Sequence, residues 1–148
     1  RVVDMRFRCL ETHDCREAGH GKYTTLPGRP ARLYNIPALN DPTVQELHVT
    51  EGEIDCLSLQ AAGFTAVGAP GAASWKPRHT ILCSGYSRVW VWGDGDTAGR
   101  RFAQQIAHAV PNGAAIPVPA GQDCNSILQT EGPEGLRHLL AQAREMTK

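Results

Sequence analysis

From Glu46 onward, the sequence alternates between short segments typical of buried strands and longer segments with apolar residues at helical spacing. The strongest strand signal is Arg88–Trp92, because it combines β-branched and aromatic residues. Strands are predicted at 46–50, 65–69, 88–92 and 114–118, and helices at 53–62, 98–110 and 133–146, with shorter helical turns near 76–82 and 126–128. Strands that alternate with helices form a parallel sheet through right-handed crossovers. The sequence therefore predicts an α/β fold with helices on both faces of the sheet.

The first 42 residues lack this regular alternation, because Gly and Pro residues interrupt short strand-like segments at 5–10 and 32–34. Before Asn40, seven Lys or Arg residues face four Asp or Glu residues, so this segment is basic and the remainder is acidic. The whole 148-residue chain has zero formal charge, which excludes bulk attraction as the main cause of any nucleic-acid binding. We predict a small mixed basic subdomain at 1–42 and the main domain at 43–148.

The cysteines and the absence of long apolar runs indicate the cellular compartment of the protein. The chain has five cysteines at irregular spacing, no secretory signal and no long apolar run. These features predict a reduced, cytoplasmic setting and no association with membranes. The first residue is Arg rather than Met, so we expect the chain to be a fragment of a longer protein.

Carboxylates follow the predicted strands. Glu51 comes directly after the first strand, Asp94 and Asp96 flank Gly95 after the strongest strand, and Asp123 follows the last strand at a greater distance. Ligands of open α/β sheets bind outside the carboxyl ends of the strands. Two carboxylates in one turn suit a hard divalent cation, since oxygen ligands are what such ions prefer. The sequence therefore predicts a metal and phosphate site at this edge.

The Asp-x-Asp loop and Asp55 also have a simpler interpretation. An Asp between a strand and a helix can cap the helix, and Asp55 in a first turn can interact with the helix dipole. Glu51 can act as a general acid or base, or it can complete a metal shell.

The two motifs together resemble the Toprim domain. They are Glu-Gly-x-x-Asp at 51–55 and Asp-x-Asp-x-x-Gly at 94–99, in this order and each after a predicted strand. The resemblance covers roughly residues 46–128 and implies a Rossmann-like parallel sheet. Toprim domains occur in topoisomerases, bacterial and phage-type DNA primases, OLD-type nucleases and RecR-like recombination proteins. The resemblance implies that Glu51 is the acid/base residue and that Asp94 and Asp96 bind Mg²⁺.

Among these families the chain looks most like the primases, on the form of residues 50–55, 94–99 and 122–128. In phage primases the Asp that corresponds to Asp123 can join the metal site. This chain departs from that segment at Gln122, which replaces a Lys, and at Ser126, which replaces an acidic residue. The basic N-terminal subdomain is also similar to the one that precedes Toprim in primases.

The resemblance implies a catalytic core for DNA replication. Its reaction would be metal-dependent nucleotidyl transfer, which makes short RNA primers on single-stranded DNA from NTPs, with Mg²⁺ or Mn²⁺ as cofactor. A replicative helicase, fused or separate, would be a partner in a bacterial or phage-infected cell. The candidates for phosphate or template contacts, which are otherwise solvated surface charges, are Lys22, Arg29, Arg32, Lys76, Arg100 and Arg101. The alternatives are a Toprim-type metal-dependent nuclease and a non-catalytic nucleic-acid-binding module.

A second group of potential ligands lies in the N-terminal segment, at Cys9, His13, Cys15 and His20. Zinc ribbons of primases use paired Cys-x-x-Cys spacings. This segment has no such pair. We therefore predict packed thiols and surface histidines here rather than a zinc site.

Overall fold

The computed structural model describes residues 4–28, 32–71 and 74–148. The chain divides into two compact units, Arg1–Ala31 and Arg32–Lys148. The boundary between these units differs from the predicted one, which lies between residues 42 and 43. The difference arises because residues after Arg32 pack with the second unit. Leu33 is buried, the Tyr34 backbone N–H donates to the Gly68 carbonyl at 2.8 Å, and the Asn35 side chain donates to the Ala66 carbonyl at 2.9 Å.

The first unit contains an antiparallel pair of short strands, β1 (Arg6–Arg8) and β2 (Tyr23–Thr25). The guanidinium groups of Arg6 and Arg8 lie 4.8 and 5.6 Å from the centre of the Tyr23 ring. No residue between 4 and 28 is buried. β1 lies within the predicted 5–10 segment, whereas β2 was not predicted.

The loop between β1 and β2 bears on the expectation of packed thiols and surface histidines. Cys9, His13, Cys15 and His20 were predicted not to form a metal site, but their potential ligand atoms all lie within 4.8 Å of one another. The physical reason is a chain reversal: the His20 backbone N–H donates to the Cys15 carbonyl at 2.9 Å, and Gly19 has φ 78°. The loop therefore brings together residues whose spacing is not that of a zinc ribbon.

The second unit is built on a four-stranded sheet. Its strands are β3 (Glu46–Thr50), β4 (Ala66–Gly68), β5 (Arg88–Trp92) and β6 (Gly113–Ala115), in the spatial order β4-β3-β5-β6. All three pairings are parallel. A short 3₁₀ helix (Ile36–Asn40) precedes the sheet, and the strand predicted at 32–34 is reduced to one bridge between Tyr34 and Gly68. β6 is an edge strand, as expected for a segment followed by Pro117.

Among the described residues, four α-helices connect or follow these strands: α1 (Glu53–Ala61), α2 (Pro77–Cys83), α3 (Thr97–Ala109) and α4 (Cys124–Met146). α4 is interrupted at Gly132, which has φ 66° and ψ −170° and stands immediately before Pro133. Because Pro lacks an N–H and disfavours a helical residue before it, the two predicted helical pieces remain distinct. In the described parts of the chain, no helix has the length and apolarity needed to cross a bilayer.

Two hydrophobic clusters lie on opposite faces of the sheet, because alternate residues of a strand face opposite ways. Trp90 and Trp92 of β5 belong to one cluster, with side chains from α1 and α4. Val89 and Val91 belong to the other, with Phe102 from α3. The prediction of an α/β fold with helices on both faces is therefore confirmed. The Trp92 indole N–H donates to His48 Nδ1 at 2.9 Å within the first cluster.

Candidate active site

Three loops bring acidic residues to the carboxyl edge of the sheet. Glu51 follows β3 directly, Asp94 and Asp96 lie between β5 and α3, and Asp123 precedes α4. Burial raises the pKa of Asp94, and the nearby charges of Asp123 and Asp96 raise it further. Burial also raises the pKa of Glu51, followed by the nearby charges of Asp94 and Asp96. The four carboxylates that the sequence singled out therefore form one group.

Gly95 explains how Asp123 reaches this group although residues 116–122 separate it from β6. The Gly95 N–H donates to the Gln122 carbonyl at 2.7 Å, and the Gly121 N–H donates to the Gly95 carbonyl at 3.0 Å. A Cβ atom on Gly95 would lie 1.8 Å from the Pro119 carbonyl oxygen. Only a glycine allows the two loops to approach this closely.

Two of the carboxylates also cap helices, and the simpler interpretation of the sequence expected this for the Asp94–Asp96 loop. Asp96 is the N-cap of α3, and its Oδ1 accepts from the Gly99 N–H at 2.7 Å. Asp123 is the N-cap of α4, and its Oδ1 accepts from the Ser126 N–H at 2.6 Å. In each case one carboxylate oxygen is used by the cap, so capping leaves the second oxygen available for a ligand.

Glu51 has a polar atom without a partner. Its Oε2 is buried and makes no hydrogen bond with any residue that the structure describes. Burial raises the pKa of Glu51, and the charges of Asp94, Asp96 and Asp55 raise it further. A buried carboxylate oxygen without a donor is costly unless a proton or a cation compensates it.

Asp55 joins the site, although the sequence pointed only to a role at the helix dipole. Its Oδ1 accepts from the Asn125 N–H at 3.2 Å, which links α1 to the start of α4. Burial, followed by the charge of Asp123, raises the pKa of Asp55 to about 6. The signal that could have found it is its position in the Glu-Gly-x-x-Asp motif, one helical turn after Glu51.

The donor set fits a hard divalent cation. Burial raises the pKa of Asp94, and Asp123 and Asp96 raise it further, so the ionised forms of these groups repel one another. A divalent cation bound among carboxylate oxygens removes this repulsion, and oxygen donors are the ligands that Mg²⁺ and Mn²⁺ prefer. The orphaned Oε2 of Glu51 is consistent with the same ligand.

The predicted phosphate-binding residues have different surroundings. Arg100 of α3 is exposed and donates from Nη1 to the Gly95 carbonyl at 3.2 Å, so it lies beside the acidic loop. Arg101 is exposed on the same helix, and Lys76 is the N-cap of α2. Arg32 is exposed near the start of the second unit, and Lys22 belongs to the first unit. The remaining candidate, Arg29, lies outside the described residues.

A parallel sheet with five carboxylates at its carboxyl edge defines a Rossmann-like α/β protein with an acidic site suited to a divalent cation. The Toprim-like family model matches residues 48–128, which include all five carboxylates. The chain belongs to the Toprim-like family, and the recognition made from the two motifs is confirmed.

Three similar proteins place the chain more closely. It is 39% identical over 135 residues to the gene 57 protein of Mycobacterium phage D29, covering 91% of this chain and 84% of that protein. It is 32% identical over 139 residues to the DNA primase of Chlamydia muridarum, covering 84% of this chain and 23% of that protein. The solved DnaG primase catalytic domain bound to single-stranded DNA is 26% identical, with a TM-score of 0.74, and the match covers 97% of this chain and 48% of that domain.

These matches extend over both units of this chain but over unequal parts of the relatives. The chain spans under a quarter of the chlamydial primase and about half of the solved catalytic domain. Its fold is that of primase catalytic cores. A whole primase also contains segments that lie outside these matches.

Proposed function

We propose that this chain is part of the catalytic core of a DNA primase, a nucleotidyltransferase that joins NTPs into short RNA primers on single-stranded DNA. The observation that carries the proposal is the group of five carboxylates at the sheet edge, in a fold shared with primase catalytic cores. Oxygen ligands and a net negative site suit a bound cation that neutralises a triphosphate.

Four of the five carboxylates have a specific role in this proposal. Asp94 and Asp96 hold Mg²⁺ or Mn²⁺, and Asp123 contributes from the adjoining loop. Glu51 Oε2 is the atom available to a cation or to a transferred proton, because no other described group occupies it. When bound, a divalent cation would bind the phosphates of the NTP and lower the pKa of the attacking 3′-hydroxyl.

Basic side chains complete the proposed substrate site. Arg100 is anchored to the Gly95 carbonyl and is exposed, so its remaining N–H groups can meet a phosphate next to the acidic loop. Arg32, Lys76, Arg101, Lys22 and Arg29 remain proposals for contacts with phosphate or template. Singly they resemble ordinary surface charges.

The test supplies single-stranded DNA, labelled NTPs and Mg²⁺ or Mn²⁺, and measures short RNA products. The sharpest variant is Asp96→Asn, because Asn caps a helix as well as Asp does and the substitution removes mainly the charge. We expect a loss of at least about 100-fold in primer synthesis with little change in melting temperature. Glu145→Gln is the matched control, since Glu145 is exposed near the end of α4 and pairs with Lys148.

The other outcomes distinguish the remaining functions. Cleavage of the DNA that depends on Asp94 and Asp96, without synthesis, would show a metal-dependent nuclease. Cation binding and DNA binding without either reaction would show a non-catalytic module. A primase of this kind would act in the cytoplasm of a bacterial or phage-infected cell with a replicative helicase, which co-purification from such cells would test.

A further inference from the structure

We propose that Cys9, His13, Cys15 and His20 form a second metal site, a tetrahedral Cys₂His₂ site for zinc that stabilises the first unit. This site is separate in chemistry from the acidic group. Thiolate and imidazole donors suit Zn²⁺, whereas the carboxylates of the sheet edge suit Mg²⁺ or Mn²⁺.

The donor atoms are already close to the spacing of a zinc shell. Cys9 Sγ lies 3.7 Å from His13 Nε2, and His13 Nε2 lies 3.0 Å from His20 Nε2. All four donors lie within 4.8 Å of one another. Zinc–sulfur and zinc–nitrogen bonds of about 2.3 and 2.0 Å separate the donors of a tetrahedron by roughly 3.3–3.8 Å. Small side-chain shifts are enough to accept the ion.

The hydrogen bonding of His20 prepares its second nitrogen for a metal. His20 Nδ1 lies 3.1 Å from the Gly21 carbonyl, and only a protonated Nδ1 can donate to that oxygen. A neutral His20 therefore presents the lone pair of Nε2, the atom that faces His13. Histidines that bind metals commonly donate their other ring N–H to a backbone carbonyl in this way.

The backbone holds the four residues at the end of the two-stranded ribbon. Cys9 follows β1, and its backbone N–H donates to the Lys22 carbonyl at 2.9 Å, which extends the pairing beyond the strands. His20 is held by the hydrogen bond from its backbone N–H to the Cys15 carbonyl. The ligands therefore come from a closed loop rather than from a flexible tail.

In the described part of the first unit, burial of side chains contributes little stability. None of residues 4–28 is buried, and Phe7 and Leu10 are 51% and 87% exposed. Units below about 40 residues usually need a disulfide, a metal or oligomerisation to fold. Cys9 and Cys15 are free thiols, so no disulfide provides that link. A zinc ion would connect the two ends of the loop and supply folding free energy.

The experiment purifies the whole chain in zinc-containing buffer with a mild reductant and measures bound metal by elemental analysis and native mass spectrometry. We expect one zinc per chain, and Co²⁺ in its place should give the intense visible absorption of a tetrahedral thiolate site. His20→Ala and the double variant Cys9→Ser, Cys15→Ser should lose the zinc. His138→Ala, an exposed histidine of α4, and Asp94→Asn should keep it.

A second readout does not depend on the variants folding. In the unchanged protein, a chelator should make the loop between β1 and β2 sensitive to protease while the second unit keeps its thermal transition. The proposal is overturned if the purified chain binds no zinc, or if its Co²⁺ spectrum is octahedral. A mass two hydrogens lower with no titratable thiol at Cys9 and Cys15 would instead show a disulfide, and it would also overturn the proposal.

Discussion

Replacing Gly95 by Ala tests whether the contact between two loops assembles the acidic site. The new Cβ would lie 1.8 Å from the Pro119 carbonyl oxygen, where ordinary contact begins at 3.4 Å. The loops must therefore separate by about 1.6 Å. This separation breaks the hydrogen bonds that join Gly95 to Gln122 and to Gly121.

The structure allows an estimate of the cost. Two backbone hydrogen bonds are worth about 1 kcal/mol each, and overpacking adds about 1–3 kcal/mol. We expect the free energy of unfolding to fall by about 3–5 kcal/mol. Asp123 moves away from Asp94 with its loop, and loss of a contact that positions a metal ligand typically lowers metal affinity about 10- to 100-fold.

The assays are urea unfolding and titration with Mn²⁺ followed by electron paramagnetic resonance. Gly85→Ala is the control, because nothing lies within 4 Å of the Cβ that it would add. We expect this control to change neither stability nor Mn²⁺ affinity. If Gly95→Ala folds and binds Mn²⁺ as tightly as the unchanged protein, the contact between the loops does not assemble the site.

Three further predictions concern the second unit. Trp92→Phe should lower the free energy of unfolding by about 2–3 kcal/mol, because it removes buried volume and leaves His48 Nδ1 without its hydrogen-bond donor. A decrease below about 1 kcal/mol in urea unfolding would contradict this prediction. Burial lowers the pKa of His48 to about 4, although the charge of Glu46 opposes this shift. As the pH falls from 6.5 towards 4, His48 is therefore protonated more readily in the unfolded chain, and the folded protein loses stability. Relative to His48→Gln, the unchanged protein should lose about 3 kcal/mol across that window, and a constant difference would refute the assignment. Arg144→Met should cost less than about 1 kcal/mol in the same assay, because the ion pair of Arg144 with Glu46 is partly exposed.

The strands of the sheet centre were predictable from the sequence because their residues carry two independent signals. Glu46–Thr50 and Arg88–Trp92 are observed with the predicted bounds. They are rich in β-branched or aromatic residues, and the structure buries them on both faces. β2 has three exposed residues and depends on a partner strand, so no local pattern distinguishes it from the surrounding loop.

The two convergences that the sequence missed both depend on contacts that the regular spacing of a helix or strand does not produce. Asp55 belongs to the site because the start of α4 approaches it, and the hydrogen bond from Asn125 spans 70 residues. The Cys and His side chains meet because the chain reverses between them. Spacing in the sequence reports neighbours along a regular element, and it is silent about a loop whose shape is set by its own backbone hydrogen bonds.

The five carboxylates differ in how the fold compensates their charge. Asp96 and Asp123 each accept a hydrogen bond from the first turn of a helix, so backbone amides and the helix N-terminus offset their charge before any ligand arrives. Burial and like charges instead raise the pKa of Glu51, Asp55 and Asp94. A cation held by Asp94, Asp96 and Asp123, as proposed, would also reduce the repulsion among this second set. The helix caps of Asp96 and Asp123 can therefore hold both loops in place before a cation binds. The negative charge that the fold leaves uncompensated lies on Glu51 directly after β3, on Asp55 in α1 and on Asp94 after β5.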